Sequence, residues 1–246
     1  MTRVIIGQDG STAGGWLMRA LVPALAYGAL CLSMAGTATA AGEVTADQFE
    51  WQAGPDKDAL KWDVTARVGG DTNRLWLLDE GIHASGDQVE NRVELLWGHV
   101  LANRWEVVAG ARHDDGATPS RTYAALGLLR FEPEIFHIEV TGYVGDYGHL
   151  GLRLKADYDW PMTGRLVLTA RAEGEVWNDD HDRARVGSGP IQAAAGLRLR
   201  YRIRPAVAPY AGYEWERLFD DTANQARRAG RDPERTVWVA GLSFRF

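Results

Sequence analysis

Apolar and polar residues alternate with a period of two along most of this chain, and no segment settles into the 3.6-residue period of a helix. Between Ile191 and Arg204, the residues Ala193, Ala195, Leu197, Leu199, Tyr201 and Ile203 alternate with Arg198, Arg200, Arg202 and Arg204. On a helix those arginines would wind around the whole circumference, whereas on a strand they share one face. The same alternation sets Leu150, Leu152, Leu154 and Ala156 against Arg153, Lys155 and Asp157, and Leu166, Leu168, Ala170 and Ala172 against Thr169, Arg171, Glu173 and Glu175. The last segment alternates Trp238, Ala240, Leu242, Phe244 and Phe246 with Ser243 and Arg245. Every segment has one apolar face and one polar or charged face.

Turn signals and alternation mark about twelve such segments, with ten as the alternative. They start near Phe49, Trp62, Arg74, Glu90, Arg104, Arg121, Phe136, Gly148, Gly164, Ile191, Val207 and Thr236, and the first is the weakest. Their spacing leaves room for the roughly 9 to 11 residues that a tilted strand needs to cross a bilayer. The connections alternate in length. GGDTN, LANR, EPE, PMTG and RPA are short, while GPDKD, SGDQ, HDDGATPS, Asn178–Gly189 and Asp220–Arg235 include the longest. Short periplasmic turns facing long outer loops are the mark of an outer-membrane barrel.

A soluble sandwich or lipocalin-like barrel has the same period with the faces reversed, so alternation alone leaves both open. Three features favour the membrane barrel: polar faces rich in opposite charges, aromatics near segment ends, and a C-terminal Phe246 on the apolar face. Composition narrows the choice further. With 24% charged residues and a mean hydropathy of -0.27, the chain has no room for a bundle of apolar spanning helices. Its 10% aromatic content excludes disorder, and a net charge of -6 argues against a nucleic-acid partner.

The N-terminus reads as an address. Arg19 precedes a run without charge from Ala20 to Gly42 that ends in TATAAG, the pattern of a secretory signal cleaved after Ala40, with Ala38 and Ala40 as determinants. Met18 is a better start for such a signal than Met1, and an uncleaved anchor is the alternative reading. The expected division is a signal peptide at 1–40, a short periplasmic segment with a weak first strand at 41–60, and the barrel at 61–246. The single cysteine, Cys31, lies in the signal, so the mature chain has no thiol for disulfides, zinc-thiolate sites or catalysis.

Several stretches go beyond generic barrel pattern. NRLWLLDEG at Asn73–Gly81, followed by VELLWGH at Val93–His99, resembles the copper-resistance B family of outer-membrane proteins, in which a strand of the form RLWLKTEG recurs. Ile138–Leu168 is similar to that family's segment around YVGDxGR and EAEYD, and Gly187–Arg217 to its GSG…GLRLRYEI…APYVGVxWxR pattern. The spacing at Asp221–Arg228 also fits, and the resemblance runs from about Trp62 to Phe246. It implies a Gram-negative outer-membrane barrel that acts in copper resistance, with copper as its ion, outer-membrane lipid around it and a periplasmic copper-resistance protein as partner. Two departures bear on copper. Ala41–Lys61 lacks the Met- and His-rich extension of many members, whose thioether and imidazole donors suit copper. Leu78 stands where the family's strand has lysine.

Six histidines follow the signal: His83, His99, His113, His137, His149 and His181. His137 and Glu139, two apart on a polar strand face, are both expected to point into the lumen, where they would hold a cation or simply pair with other lumen groups. His113 with Asp114 and Asp115, and Asp179, Asp180, His181 and Asp182, fall in expected outer loops. There they would gather divalent cations or serve as solvated loop tips. Arg198, Arg200 and Arg202 are expected to face Glu173 and Glu175 of the neighbouring strand and neutralise them. Catalysis lacks support: Asp179–Asp182 are adjacent residues of one loop rather than opposed acid and base pairs, and Ser188 sits in GSG rather than in a nucleophile elbow. A closed barrel or general porin without metal specificity remains the alternative function.

Overall fold

The computed structural model describes residues 41–55, 58–84, 89–116, 120–132, 135–178, 189–228 and 230–246. The expected signal peptide, with Cys31, lies outside them. The described residues form twelve strands: β1 (Ala41–Ala53), β2 (Ala59–Gly69), β3 (Asn73–Ala84), β4 (Val89–Val100), β5 (Trp105–Asp115), β6 (Arg121–Glu132), β7 (Phe136–Val144), β8 (Leu150–Pro161), β9 (Leu166–Trp177), β10 (Gly189–Tyr201), β11 (Val207–Leu218) and β12 (Glu234–Arg245). Each pairs antiparallel with its neighbours in sequence, and β1 pairs with β12, so the sheet closes without a free edge. Closure leaves every strand's backbone groups a partner, which a wall surrounded by lipid requires. At the seam Val44 and the terminal Phe246 exchange backbone hydrogen bonds of 2.9 and 2.8 Å.

Eleven strands begin within three residues of their expected starts. β1 is the exception: it begins at Ala41, well ahead of Phe49. Its pairing shifts register between Ala46 and Gln48, so Thr45 faces inward on one side of the irregularity and Gln48, Glu50 and Gln52 on the other. A bulge of this kind breaks the period of two and hides the strand from a pattern reading. The longest loop also departs from expectation, because it carries a short helix, α1 (Asp220–Arg228). Asp220 and Asp221 in its first turn and Arg227 and Arg228 in its last complement the helix dipole.

The faces settle the choice between membrane and soluble barrel. Apolar side chains point outward: Leu126 is 65% exposed, Trp160 59% and Trp238 72%. Charged side chains point inward, with Arg153, Glu50 and Glu139 at 0%. A soluble barrel would bury the first set and expose the second. Aromatics also gather at the short-turn end of the wall, where Arg130 lies 5.6 Å from the Trp105 ring and 4.8 Å from that of Phe136. A carboxylate in mid-strand breaks the outward pattern. Asp79, paired in register with Val64 and Val93, accepts a 3.1 Å hydrogen bond from the Trp62 indole.

Candidate functional site

The lumen is filled by two kinds of contact. On the β3–β7 side, inward residues including Trp76, Leu78, Leu96, Val108, Leu129 and Tyr143 form an apolar cluster. Leu78, at the position where the family's strand has lysine, belongs to it. Elsewhere the lumen is bridged by ion pairs. Lys155 on β8 places its Nζ 2.6 Å from Asp63 on β2 and 2.8 Å from Glu80 on β3. In a ring of twelve, β8 and β2 stand opposite each other, so this bridge crosses the full width of the barrel. Beside it Arg153 contacts Glu80, lies 2.7 Å from Glu173 and 3.6 Å from Glu139.

Two further knots complete the network. Arg112 lies over the Tyr143 ring at 4.5 Å, pairs with Asp114 at 2.7 Å and reaches Glu175 across the lumen at 3.1 Å. Arg92 reaches the same Glu175 at 2.7 Å. On the other side Arg198 makes a two-pronged contact with Glu50 at 2.9 and 2.8 Å and also binds Glu214, while Lys61 lies 2.8 Å from Glu214. Tyr210 donates a 3.0 Å hydrogen bond to Glu50. Buried charges persist only when paired and hydrogen-bonded, and the alternating sequence supplies both signs on one face. A cavity of about 50 Å³ opens at the short-turn mouth, lined by Asp47, Asp159, Arg200 and Arg202 among others.

The structure separates most of the residues that the sequence groups. His137 and Glu139 both face inward, yet each has its own partner: His137 Nδ1 lies 4.0 Å from Asp157 Oδ2, while Glu139 faces Arg153 and Thr141. His113 and Asp114 are not in a loop. They end β5 and, as successive strand residues, take opposite faces: His113 bonds Thr122 Oγ1 at 2.8 Å on the outside and Asp114 pairs with Arg112 inside. His181 and Asp182, with Asp179, Asp180 and Ser188, lie outside the described residues.

The expected partnership of Arg198, Arg200 and Arg202 with Glu173 and Glu175 does not form. The register sets Arg198 opposite Thr169 and Arg200 opposite Val167, whereas Glu173 pairs with Ala194 and Glu175 with Gln192. The arginines and carboxylates share a face but sit at different heights. Glu173 therefore goes to Arg153, Glu175 to Arg92 and Arg112, and Arg200 approaches Asp159 at 3.8 Å. Arg202 lies beyond the end of β10 at the mouth.

Sequence reasoning passed over Asp63, Glu80, Glu94 and Lys155, although each lies on a polar strand face. For copper, the described residues contain no group of three or more His, Cys, Asp or Glu arranged to hold a metal ion. Within the described strands, His137 is the one histidine on the lumen face. Its Nδ1 lies 4.0 Å from Asp157 Oδ2, and the Asp157 carboxylate is itself held by Arg171 on β9.

Comparison with known proteins places the barrel. The copper resistance protein B precursor (CopB) family pattern matches residues 40–246. The chain is similar to copper resistance protein B of Escherichia coli, at 37% identity over 203 residues that cover 82% of this chain and 69% of the relative. It is 39% identical over 201 residues to the homolog from Pseudomonas syringae pv. tomato, covering 82% and 68%. Among solved structures, the NanC porin shares the fold at a TM-score of 0.54 and 15% identity, covering 83% of this chain and 99% of that one. Lipid-facing apolar walls, a closed antiparallel barrel and these relatives locate the protein in the Gram-negative outer membrane. The chain belongs to the copper resistance protein B family.

Proposed function

We propose that this outer-membrane copper-resistance barrel binds copper at its charged lumen and does not pass it through an open pore. The observation that carries the reading is the Lys155 bridge to Asp63 and Glu80, which joins opposite walls. Any ion moving along the lumen has to displace buried arginine and lysine side chains from their carboxylates. The donor pair best suited to copper is His137 with Asp157, an imidazole and a carboxylate on neighbouring strands in direct register. Both lie toward the short-turn end, which the topology of such barrels makes periplasmic, so a periplasmic copper-resistance partner would meet this mouth. With two protein donors the affinity is modest.

Copper titration of the refolded barrel tests this reading. Wild type should bind copper, and His137→Ala and Asp157→Asn should each weaken binding at least tenfold while leaving the barrel folded. Absence of binding in wild type, or binding unchanged in both variants, refutes the site. A second reading, a closed barrel without metal specificity, is favoured by the occupation of most lumen carboxylates by Arg and Lys. It predicts no copper binding in wild type.

A further inference from the structure

The outward wall of the barrel is almost without cations. By strand parity, every lysine and arginine of the described strands faces the lumen except two. Arg217 lies at the long-loop end of β11 and pairs with Glu234 at 3.6 Å. Arg130, near the short-turn end of β6, has no such partner. No hydrogen bond or ion pair joins it to another described residue, and its Nε is buried without one. What holds it is a pair of rings, with the guanidinium 5.6 Å from the centre of Trp105 and 4.8 Å from that of Phe136.

The side chains around Arg130 divide as a lipid does. Trp105, the first residue of β5, is its direct partner in the register, and the Trp105 indole N–H has no hydrogen-bond partner among the described residues. Phe136 opens β7 and stands opposite Tyr158 of β8, which is 54% exposed. Farther from the turn on the same face of β6, Leu128 and Leu126 are 42% and 65% exposed. The rim therefore offers N–H donors, and the wall beyond it offers bare leucine. Ring faces attract a guanidinium and fix its plane, but they leave most of its five N–H donors without an acceptor. A cation at the edge of the hydrocarbon calls for a counter-charge, and the one that lipid supplies at this depth is phosphate.

We propose that Arg130 and Trp105 form a binding site for the phosphodiester of one glycerophospholipid of the periplasmic leaflet, with its acyl chains along Leu128 and Leu126. The planar guanidinium suits phosphate oxygens through paired, charge-assisted hydrogen bonds, and the indole N–H adds a further donor. The short-turn end faces the periplasm, which fixes the leaflet that supplies the lipid. The site lies on the opposite side of the wall from the His137–Asp157 pair, because Phe136 and Ile138 face outward where His137 faces the lumen. It is independent of copper. A bound lipid would brace the base of β5, β6 and β7 behind that histidine.

Native mass spectrometry of the refolded full-length barrel in detergent, titrated with dioleoylphosphatidylglycerol, tests the site. Wild type should retain one phospholipid per barrel at concentrations where dioleoylglycerol, with the same chains and no phosphate, is not retained. Millimolar inorganic phosphate should not displace the lipid. Arg130→Gln should weaken binding by roughly tenfold or more, the loss expected for a charge-assisted hydrogen bond. Trp105→Phe, which keeps a ring and loses the N–H, should weaken it several-fold, while Arg217→Gln leaves it unchanged. Heat-modifiable migration identifies folded variants. Should Arg130→Gln fail to fold, Arg130→Lys, which keeps the charge and loses the planar fork, should still weaken binding several-fold. The proposal is overturned if wild type retains no phospholipid, if dioleoylglycerol is retained equally, or if inorganic phosphate displaces the lipid. It is equally overturned if Arg130→Gln binds as wild type does, the result expected were Glu132 at the end of β6 the partner of this arginine.

Discussion

Replacing Arg198 with methionine probes how strongly the lumen network stabilises the barrel. The side chain is 1% exposed, and it binds Glu50, itself at 0%, and Glu214, at 2%. In a two-pronged pair the charge centres lie about 4 Å apart, which gives an attraction of about 4 kcal/mol at an effective dielectric near 20. Methionine fills much of the space but leaves two buried carboxylates with fewer partners. Glu214 retains Lys61, and Glu50 retains Gln52 and Tyr210. Removing one member of a buried pair typically costs about 3–5 kcal/mol, and the retained partners place this case near the lower end, at about 3 kcal/mol. Urea unfolding in lipid vesicles, followed by tryptophan fluorescence, measures the loss. The double variant Arg198→Met, Glu50→Gln should recover part of it, with a coupling of roughly 1–3 kcal/mol. A loss below about 1 kcal/mol, or a double variant as unstable as the sum of the single ones, would show that water rather than Arg198 balances these carboxylates.

Two other outcomes follow from the division of faces. Leu126→Arg puts a charge on the lipid side in the middle of β6 and should destabilise the barrel by roughly 2–4 kcal/mol, whereas the same change at an exposed loop position such as Asp232 should leave stability nearly unchanged. Residues 41–246 contain no cysteine, so single cysteines placed at 152, 153 and 154 and labelled with a fluorophore should alternate. Those at 152 and 154 should be quenched from brominated lipid and that at 153 shielded from it, so a uniform response would contradict the inward and outward assignment.

Alternation made the strands and their faces legible from sequence, because a lipid wall and a packed lumen impose opposite chemistry on successive residues. Leu152 and Arg153 could be assigned to opposite sides without coordinates. The pattern failed where the backbone departs from regular pleating: the bulge after Ala46 masked the first half of β1, and α1 is too short for its period to stand out in a polar loop. It failed more deeply for the site. Parity fixes which side a residue faces, but partners across a barrel depend on strand tilt and stagger, which sequence period does not encode. Arg198 and Glu173 have the right face and charges, and the register still sends them to Glu50 and to Arg153. Likewise His137 and Glu139, neighbours on one strand, are drawn apart by Asp157 and Arg153 on the next.

The most direct test of a lumen closed by its own ion pairs is single-channel conductance in a planar bilayer. Wild type should show no sustained open-pore current, because the Lys155 bridge and the Arg153 cluster span the barrel. The double variant Arg153→Ala, Lys155→Ala should open a cation-preferring current through the carboxylates left behind, with Asp63, Glu80, Glu139 and Glu173 lining the path. A steady porin-like current in wild type, unchanged by removal of these two cations, would contradict the account.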